Sequence, residues 1–412
     1  MTKQLSRYEK IFIKIVKIYV KRYPEHSFAL TFDDLIYPTI GTGEQVIQAR
    51  FLDSEASFKR IFTEGSLGLG EVYCDGKIQI KDEDYKHLLM IFVKIVSNLD
   101  LLRRLPIWDI CYVIKAKLTI PSSARANQHE NINSHYSLSD WFPNPEDSNR
   151  FYLYWLNSPY IQYSCGKWDE DANTVEEAQI NKFKFYAERL GLTQNSEDKT
   201  LLDLGCGWGG LMFYLAEHYG VHCTGLTLST AQVQYVESQI AQRNLADRVQ
   251  VKYQNIHDMQ GQWDYIVSVG VLEHIADYDD LYRKTALALK DGGRALFHTM
   301  YHDHWFHKTD AFLAKYIFPG GTIPGVKRNQ KIFRKYFKYV DRNDLPELSY
   351  PKTLACWFKN FCQHEEEIRQ LLRDRSQCPD AERAIRIFKH YLTLAYCGLT
   401  NEAIVSNTLV YN

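Results

Sequence analysis

The chain has 412 residues, 45% of them hydrophobic and 24% charged, with a net charge of −1. That length suggests two or three domains and enough area for a large core. The charge balance excludes a chain-wide nucleic-acid surface, though not a local basic patch. Nine scattered cysteines contain no CxxC pair, and the opening "MTKQLSRYEK" is polar and charged. A disulfide framework or a zinc site is therefore not expected, and a reducing cytoplasm is. No run of about 18 apolar residues exists, so no spanning segment is expected.

The first element is a helix, "YEKIFIKIVKIYVKRY". Lys10, Lys14, Lys17 and Lys21 form one basic stripe, and Tyr8, Phe12, Ile15, Val16 and Tyr19 lie opposite. Two readings stay open: a helix lying on an anionic bilayer, or a surface helix covering its own domain's core. Residues 27–80 alternate short extended runs ("SFALTF", "QVIQARFL", "GKIQIK") with turn residues, which reads as a small α+β domain. The polar stretch 121–134 reads as a linker. Next comes "IQYSCGKW", where Tyr163, Ser164 and Cys165 set a phenol, a hydroxyl and a thiol side by side. A nucleophile, a metal ligand and a pocket wall are all compatible with that triplet.

From Lys199 the strands "TLLDLGC", "VHCTGLTL", "VQVKYQ", "WDYIVSVG" and "RALFHTMY" alternate with helical stretches. This predicts a doubly wound α/β sheet with ligands at the carboxyl ends of its strands. The first turn, "LLDLGCGWGG", places Gly205, Gly207 and Gly209 at GxGxG spacing rather than the dinucleotide GxGxxG, with Asp203 in the strand end. The second strand ends in Thr227, Ser229 and Gln232, without the acid that a nicotinamide dinucleotide's ribose needs. The glycine turn resembles that of S-adenosylmethionine (SAM) methyltransferases. Glu273 and His274 follow the fourth strand and His298 ends the fifth, hence at the ligand face. Packing alone could place one histidine there; two adjacent strand ends point to chemistry. The loop carrying His302, Asp303, His304 and His307 has no helical metal-ligand spacing and reads as a lid or solvated loop.

Taken together, "FKRIFTEGSLGLGEVYCDG", "HYSL", "YSCGKW", "LLDLGCGWGG", "GLTLSTAQ", "IVSVGVLEHI", "LFHTM", "KYIFPGG" and "YPKTLACW" closely resemble the cyclopropane-fatty-acid-phospholipid synthases, a branch of the SAM methyltransferases. The resemblance implies a Rossmann-like SAM methyltransferase sheet with a smaller N-terminal α+β lipid-engaging domain. The organisation expected is 1–120 lipid-engaging, 121–134 linker, and 135–412 catalytic. The cofactors it implies are SAM and bicarbonate. Tyr163, Ser164, Asp203, Gly205, Gly207, Gly209, Thr227, Ser229, Gln232, Asn255 and Ile256 would hold SAM. Cys165, Glu273, His298, the carbonyl of Met300, and Tyr350 would hold the bicarbonate as general base. In that arrangement Glu273 accepts the anion's O–H while His298 and Tyr350 donate to its oxygens.

The substrate implied is an unsaturated phospholipid in a bilayer. The enzyme would work as a peripheral protein at the inner face of the cytoplasmic membrane, with no nucleic-acid partner and a homodimer left open. Tyr301, Trp305, Phe306, Tyr316 and Phe318 are candidates to face a developing cation, or to form a packed lid. Two departures from the family pattern, Ser137 in place of an aspartate and the inserted stretch 141–150, are expected to reshape the substrate entrance. Other readings are a relative making methyl-branched or methylene products, a small-molecule amine methyltransferase, and a catalytically silent lipid-binding protein.

Overall fold

The computed structural model describes residues 4–97, 138–156, 159–302, 306–400 and 404–411. The chain forms two compact units. The expected linker 121–134 and Ser137 lie outside the described residues.

The first unit comprises residues 1–122 together with 310–317 and 380–398, two stretches that the sequence reading had placed in the C-terminal portion. Helix α1 (Arg7–Arg22) starts at a capping box, in which Ser6 accepts from the Glu9 backbone N–H and the Glu9 carboxylate returns the bond. Its Phe12, Ile15, Val16 and Tyr19 are buried, while Lys10, Lys14, Lys17 and Lys21 are exposed. The apolar face thus covers the unit's own core, the second of the two readings offered for this helix. Strands β1 (His26–Phe32), β2 (Leu35–Ile36), β3 (Gln45–Phe51) and β4 (Ile78–Ile80) make a sheet of order β2-β1-β3-β4. Phe12, Phe51 and Phe58 pack over it at centroid distances of 4.7–5.5 Å.

The glycine-rich "EGSLGLGEVYCDG" forms a helix over Ser66–Cys74. A Cβ at Gly70 would lie 2.1 Å from the Phe312 ring, so this helix packs at glycine distance. The buried Glu71 accepts from Lys315, Tyr316 and Arg383, all within the same unit. Tyr316, a sequence candidate for facing a substrate cation, is therefore tied to this cluster.

The second unit carries a seven-stranded sheet. It contains β5 (Thr200–Leu204), β6 (His222–Thr227), β7 (Val249–Tyr253), β8 (Trp263–Val269) and β9 (Leu289–Tyr301), the five strands that periodicity predicts. All five run parallel. Strands β12 (Tyr339–Asp344) and β13 (Ile404–Tyr411) complete the order β12-β13-β9-β8-β5-β6-β7, with β13 antiparallel to both of its neighbours. A short pair, β10 (Phe306–Lys308) and β11 (Thr322–Pro324), stands apart from it. One core layer joins the helix Val175–Leu190 and the helix Gly210–Tyr219 to the sheet, and another joins Tyr278–Ala288 and Val326–Tyr336 to it. Both faces are covered, as a parallel sheet requires.

Candidate active site

A cavity opens at the carboxyl ends of β5, β6, β7 and β8. Of the eleven expected cofactor residues, Tyr163, Ser164, Asp203, Gly205, Gly207, Thr227, Gln232, Asn255 and Ile256 line it, together with Gln162, Trp208 and His274. Gly209 and Ser229 do not. Gly209 is the residue before the first helical turn, at φ +76°, where an added Cβ would press on Phe213 and Val236. Ser229 caps the next helix by accepting from the Gln232 backbone N–H. Both shape the pocket from behind. Gly207 differs from both, for at φ +56° an added Cβ would meet no protein atom within 4 Å and would project into open space at the cavity wall.

The cavity's charge fits SAM, whose sulfonium and ammonium are cationic. Asp203 is buried, and its Oδ1 has no hydrogen-bond partner among the described residues. Burial pushes its carboxyl up to about 7. A cation at that oxygen would restore the ionised form. Thr227 Oγ1 donates to Gln232 Oε1 at 2.7 Å, which orients hydroxyl and amide where a dinucleotide site would carry an acid.

The inserted stretch 141–150 takes part directly. It leads into the helix Pro145–Leu156, where Asn149 Oδ1 accepts from Trp208 Nε1 at 2.9 Å and Nδ2 donates to the Ala231 carbonyl at 2.8 Å. The glycine turn is pinned by a residue that the sequence reading treated only as reshaping an entrance. Tyr163 is ringed by Tyr152, Trp155 and Trp357 at 5.3–5.7 Å, with Phe318 at 6.5 Å. Phe318 also lies 6.1 Å from His274. Tyr301 is buried on β9, Trp305 lies outside the described residues, and nothing is described of the Phe306 side chain.

The five expected anion residues converge in the same unit. The segment carrying "YSCGKW" is anchored to the helix Ser349–Gln363. Gly166 N and Trp168 Nε1 both donate to Thr353 Oγ1, at 3.1 and 2.9 Å, and Trp168 N donates to Ser349 Oγ. Tyr350 sits in that helix's first turn. Cys165, Met300 and Tyr350 share one cluster with Leu345 and Val405. Glu273 joins it, since its Oε1 accepts from Met300 N at 2.9 Å and Thr299 Oγ1 at 2.7 Å. Glu273 Oε2 is buried with no hydrogen-bond partner among the described residues. Burial raises this carboxyl, and the two bonds at Oε1 oppose the rise.

His298 lies two residues before Met300 on β9, hence on the same strand face. Its Nδ1 is 2.9 Å from Asn407 Oδ1. That contact ties the ring to β13, which pairs with β9. Burial, reinforced by the nearby Lys182 charge, pushes this imidazole down to about 3. A neutral ring keeps one N–H, so His298 can donate to an anion in one tautomer and accept in the other. Burial also pushes the Cys165 thiol up to about 12. It stays a thiol, so the nucleophilic reading of "YSC" lacks its reactive thiolate.

Lys182 is the residue the sequence reading missed. It is wholly buried, and its Nζ donates to Ser164 Oγ at 2.7 Å and to Gln162 Oε1 at 3.2 Å. Among the described residues no carboxylate lies within ion-pair distance of it. Burial pushes its amine down to about 7. A signal was available: Lys182 continues the stripe of Val175 and Ala178 on a helical face that is otherwise buried.

A dinucleotide would need an acid after β6, and hydroxyls and an amide stand there instead. The fold and this pocket define a SAM-dependent methyltransferase. Over residues 123–406, more than half its length, the chain matches the model of mycolic acid cyclopropane synthetase, and it belongs to that family. The cyclopropane-fatty-acyl-phospholipid synthase of Escherichia coli (strain K12) is 31% identical over 344 residues, which cover 81% of this chain and 80% of that one. Among solved structures, the cyclopropane synthase MmaA2 from Mycobacterium tuberculosis matches with TM-score 0.58 at 28% identity, covering 70% of this chain and 99% of that one. Mycolic acid cyclopropane synthase CmaA1, solved with SAH and CTAB, matches with TM-score 0.58 at 26% identity, covering 68% of this chain and 98% of that one. No helix among the described residues is long and apolar enough to cross a membrane.

Proposed function

We propose that the enzyme bridges a cis double bond in the acyl chain of a membrane phospholipid with a methylene group, using bicarbonate as general base. The N-terminal unit engages the lipid, and the protein works at the inner face of the cytoplasmic membrane. The observation that carries the chemistry is Glu273, whose Oε1 accepts two hydrogen bonds while its buried Oε2 has no partner among the described residues. The name of the Escherichia coli relative supports the substrate.

When bound, SAM supplies an electrophilic methyl group, and bicarbonate supplies the base that takes a proton from the added carbon. The chain's own residues do the rest. Asp203 Oδ1 offers the cofactor an unpartnered acceptor, and Gly207 leaves it room. The Tyr163 ring, held by Tyr152, Trp155 and Trp357, gives the reacting carbon an aromatic wall. Glu273 Oε2 is an acceptor for an O–H, and Lys182 is a buried amine with no carboxylate within ion-pair distance among the described residues. A small anion bearing one hydroxyl satisfies these demands together, which no protein side chain in the cluster does.

The test is mass spectrometry of unsaturated phospholipid acyl chains after incubation with SAM. A gain of one CH₂ with loss of the double bond is expected, and turnover falls in degassed, bicarbonate-free buffer and returns on adding bicarbonate. Glu273→Gln and Tyr350→Phe should keep SAM affinity and lose turnover by ~10²–10⁴-fold, with Cys165→Ser milder. Indifference to bicarbonate removes the proposed base, and a methyl-branched product removes the ring.

A further inference from the structure

The helix Val326–Tyr336 carries a line of unpaired cations. Lys327, Lys331 and Arg334 recur at helical spacing and Lys338 continues the line just past the helix end; all four are exposed. None of them has an ion-pair partner among the described residues. The other two cations of the segment are engaged: Lys335 pairs with Asp279, and Arg328 lies over the Tyr278 ring. No acidic residue occurs between 326 and 340. The opposite side of the helix is committed to the core, through Val326, Asn329 and Phe333. Tyr282 Oη donates to Asn329 Oδ1, and its ring stacks on Phe333 at 4.0 Å.

Helix stability does not account for the line. The macrodipole favours Arg334 near the C-terminus but disfavours Lys327 in the first turn. Like charges three and four residues apart repel. The location points to a ligand surface. Val326 N donates to the His302 carbonyl just past the end of β9, and β11, immediately before the helix, packs on the Leu272–His274 turn beside the cavity. The cation line therefore starts at the active end of the sheet and runs for about 16 Å, at the helical rise per residue. Tyr339, 55% exposed, adjoins it and presents an amphipathic ring of the kind that settles at headgroup level.

We infer that this face docks the enzyme on the phosphates of an anionic phospholipid surface. The inference rests on the reading that the substrate is a bilayer phospholipid. An acidic carrier protein would be the competing partner. Three lysines to one arginine favour the lipid, because flexible ammonium point charges suit a laterally fluid array of phosphates better than fixed carboxylates.

The experiment compares full-length wild type with a Lys327→Gln, Lys331→Gln, Arg334→Gln, Lys338→Gln variant. Binding is measured by co-sedimentation with vesicles of phosphatidylcholine alone and of phosphatidylcholine mixed with phosphatidylglycerol. The variant should lose on the order of 10²–10³-fold in affinity for the anionic vesicles. Added salt should shrink that gap. Melting temperature, SAM affinity and turnover on substrate dispersed in neutral detergent micelles should not change. A second variant, Lys10→Gln, Lys14→Gln, Lys17→Gln, Lys21→Gln, should lose less. Wild-type-like binding by the first variant, an equal loss on neutral vesicles, or a loss confined to an acidic carrier protein would each overturn the inference. In those cases wild-type turnover of vesicle lipid leaves the phospholipid reading standing. Wild type that neither binds nor modifies vesicle lipid overturns both.

Discussion

Lys182 Nζ donates to Ser164 Oγ at 2.7 Å, joining a buried cation to a residue that lines the cofactor cavity. Ser164 adjoins Cys165, and Lys182 acts electrostatically on both Cys165 and His298. An anion bound there meets a ready counter-charge, provided the amine is protonated. Because burial holds that amine down to about 7, anion binding must draw a proton as pH rises above that value. Bicarbonate affinity, read by NMR of the ¹³C-labelled ion at fixed bicarbonate concentration, should therefore weaken from about pH 7 to about pH 9. Lys182→Met should weaken it ~10–100-fold at neutral pH, the size of a hydrogen bond to a charged group, and flatten the pH dependence. Unchanged affinity and slope would exclude Lys182 from the anion site.

Gly207 and Gly209 should respond differently to substitution. Gly207→Val puts a side chain into open cavity volume, so calorimetric SAM binding should vanish while the chain still folds. The positive φ adds strain of ~1–3 kcal/mol. Gly209→Ala sets its Cβ 3.0 Å from the Phe213 ring and 3.1 Å from Val236, so it should lower the melting temperature and leave more of the SAM affinity. Normal SAM binding by Gly207→Val would take that glycine out of the cofactor's path.

His390 offers a test of linkage away from the chemistry. It is fully buried in the first unit, 2.6 Å from Tyr85 Oη, and burial pushes it down to about 3. An unfolded chain holds a histidine proton up to about pH 6.5. Between those values the unfolded state binds the extra proton. The stability from the neutral ring is thus complete above about 6.5 and is lost as pH falls. His390→Gln should be less stable than wild type at pH 7, and the gap should narrow by ~1.4 kcal/mol per pH unit on acidification. Denaturation curves that keep a constant gap down to about pH 4.5 would show that His390 is not held neutral.

Strands β5 to β9 were legible because each couples an apolar run to a turn and an amphipathic helix within about 30 residues. The ligand face followed from those turns, since strand ends converge on one face, whereas the cofactor residues, Tyr163 and Ser164 among them, came from the family resemblance. Strands β12 and β13 were not legible, because β13 owes its place to pairing with β9 across a long separation in sequence. With it went Asn407, whose amide lies 2.9 Å from His298 Nδ1. Asn149 was hidden because its partner, Trp208, is 59 residues away. Lys182 was overlooked for another reason. A lysine is ordinarily read as solvated, and only its register with Val175 and Ala178 marks it as inward-facing.

The antiparallel insertion of β13 between β9 and β12 has a consequence in time. Asn407 follows His298 by 109 residues, and both neighbours of β13 emerge from the ribosome before it. At ~5–20 residues per second, roughly 5–20 s separate the appearance of the histidine from that of the residue that orients it. During that interval β9 lacks its β13 partner and His298 lacks its Asn407 contact. The nascent chain can fold its glycine turn early, yet the Asn407 contact to His298 forms only once β13 has been made.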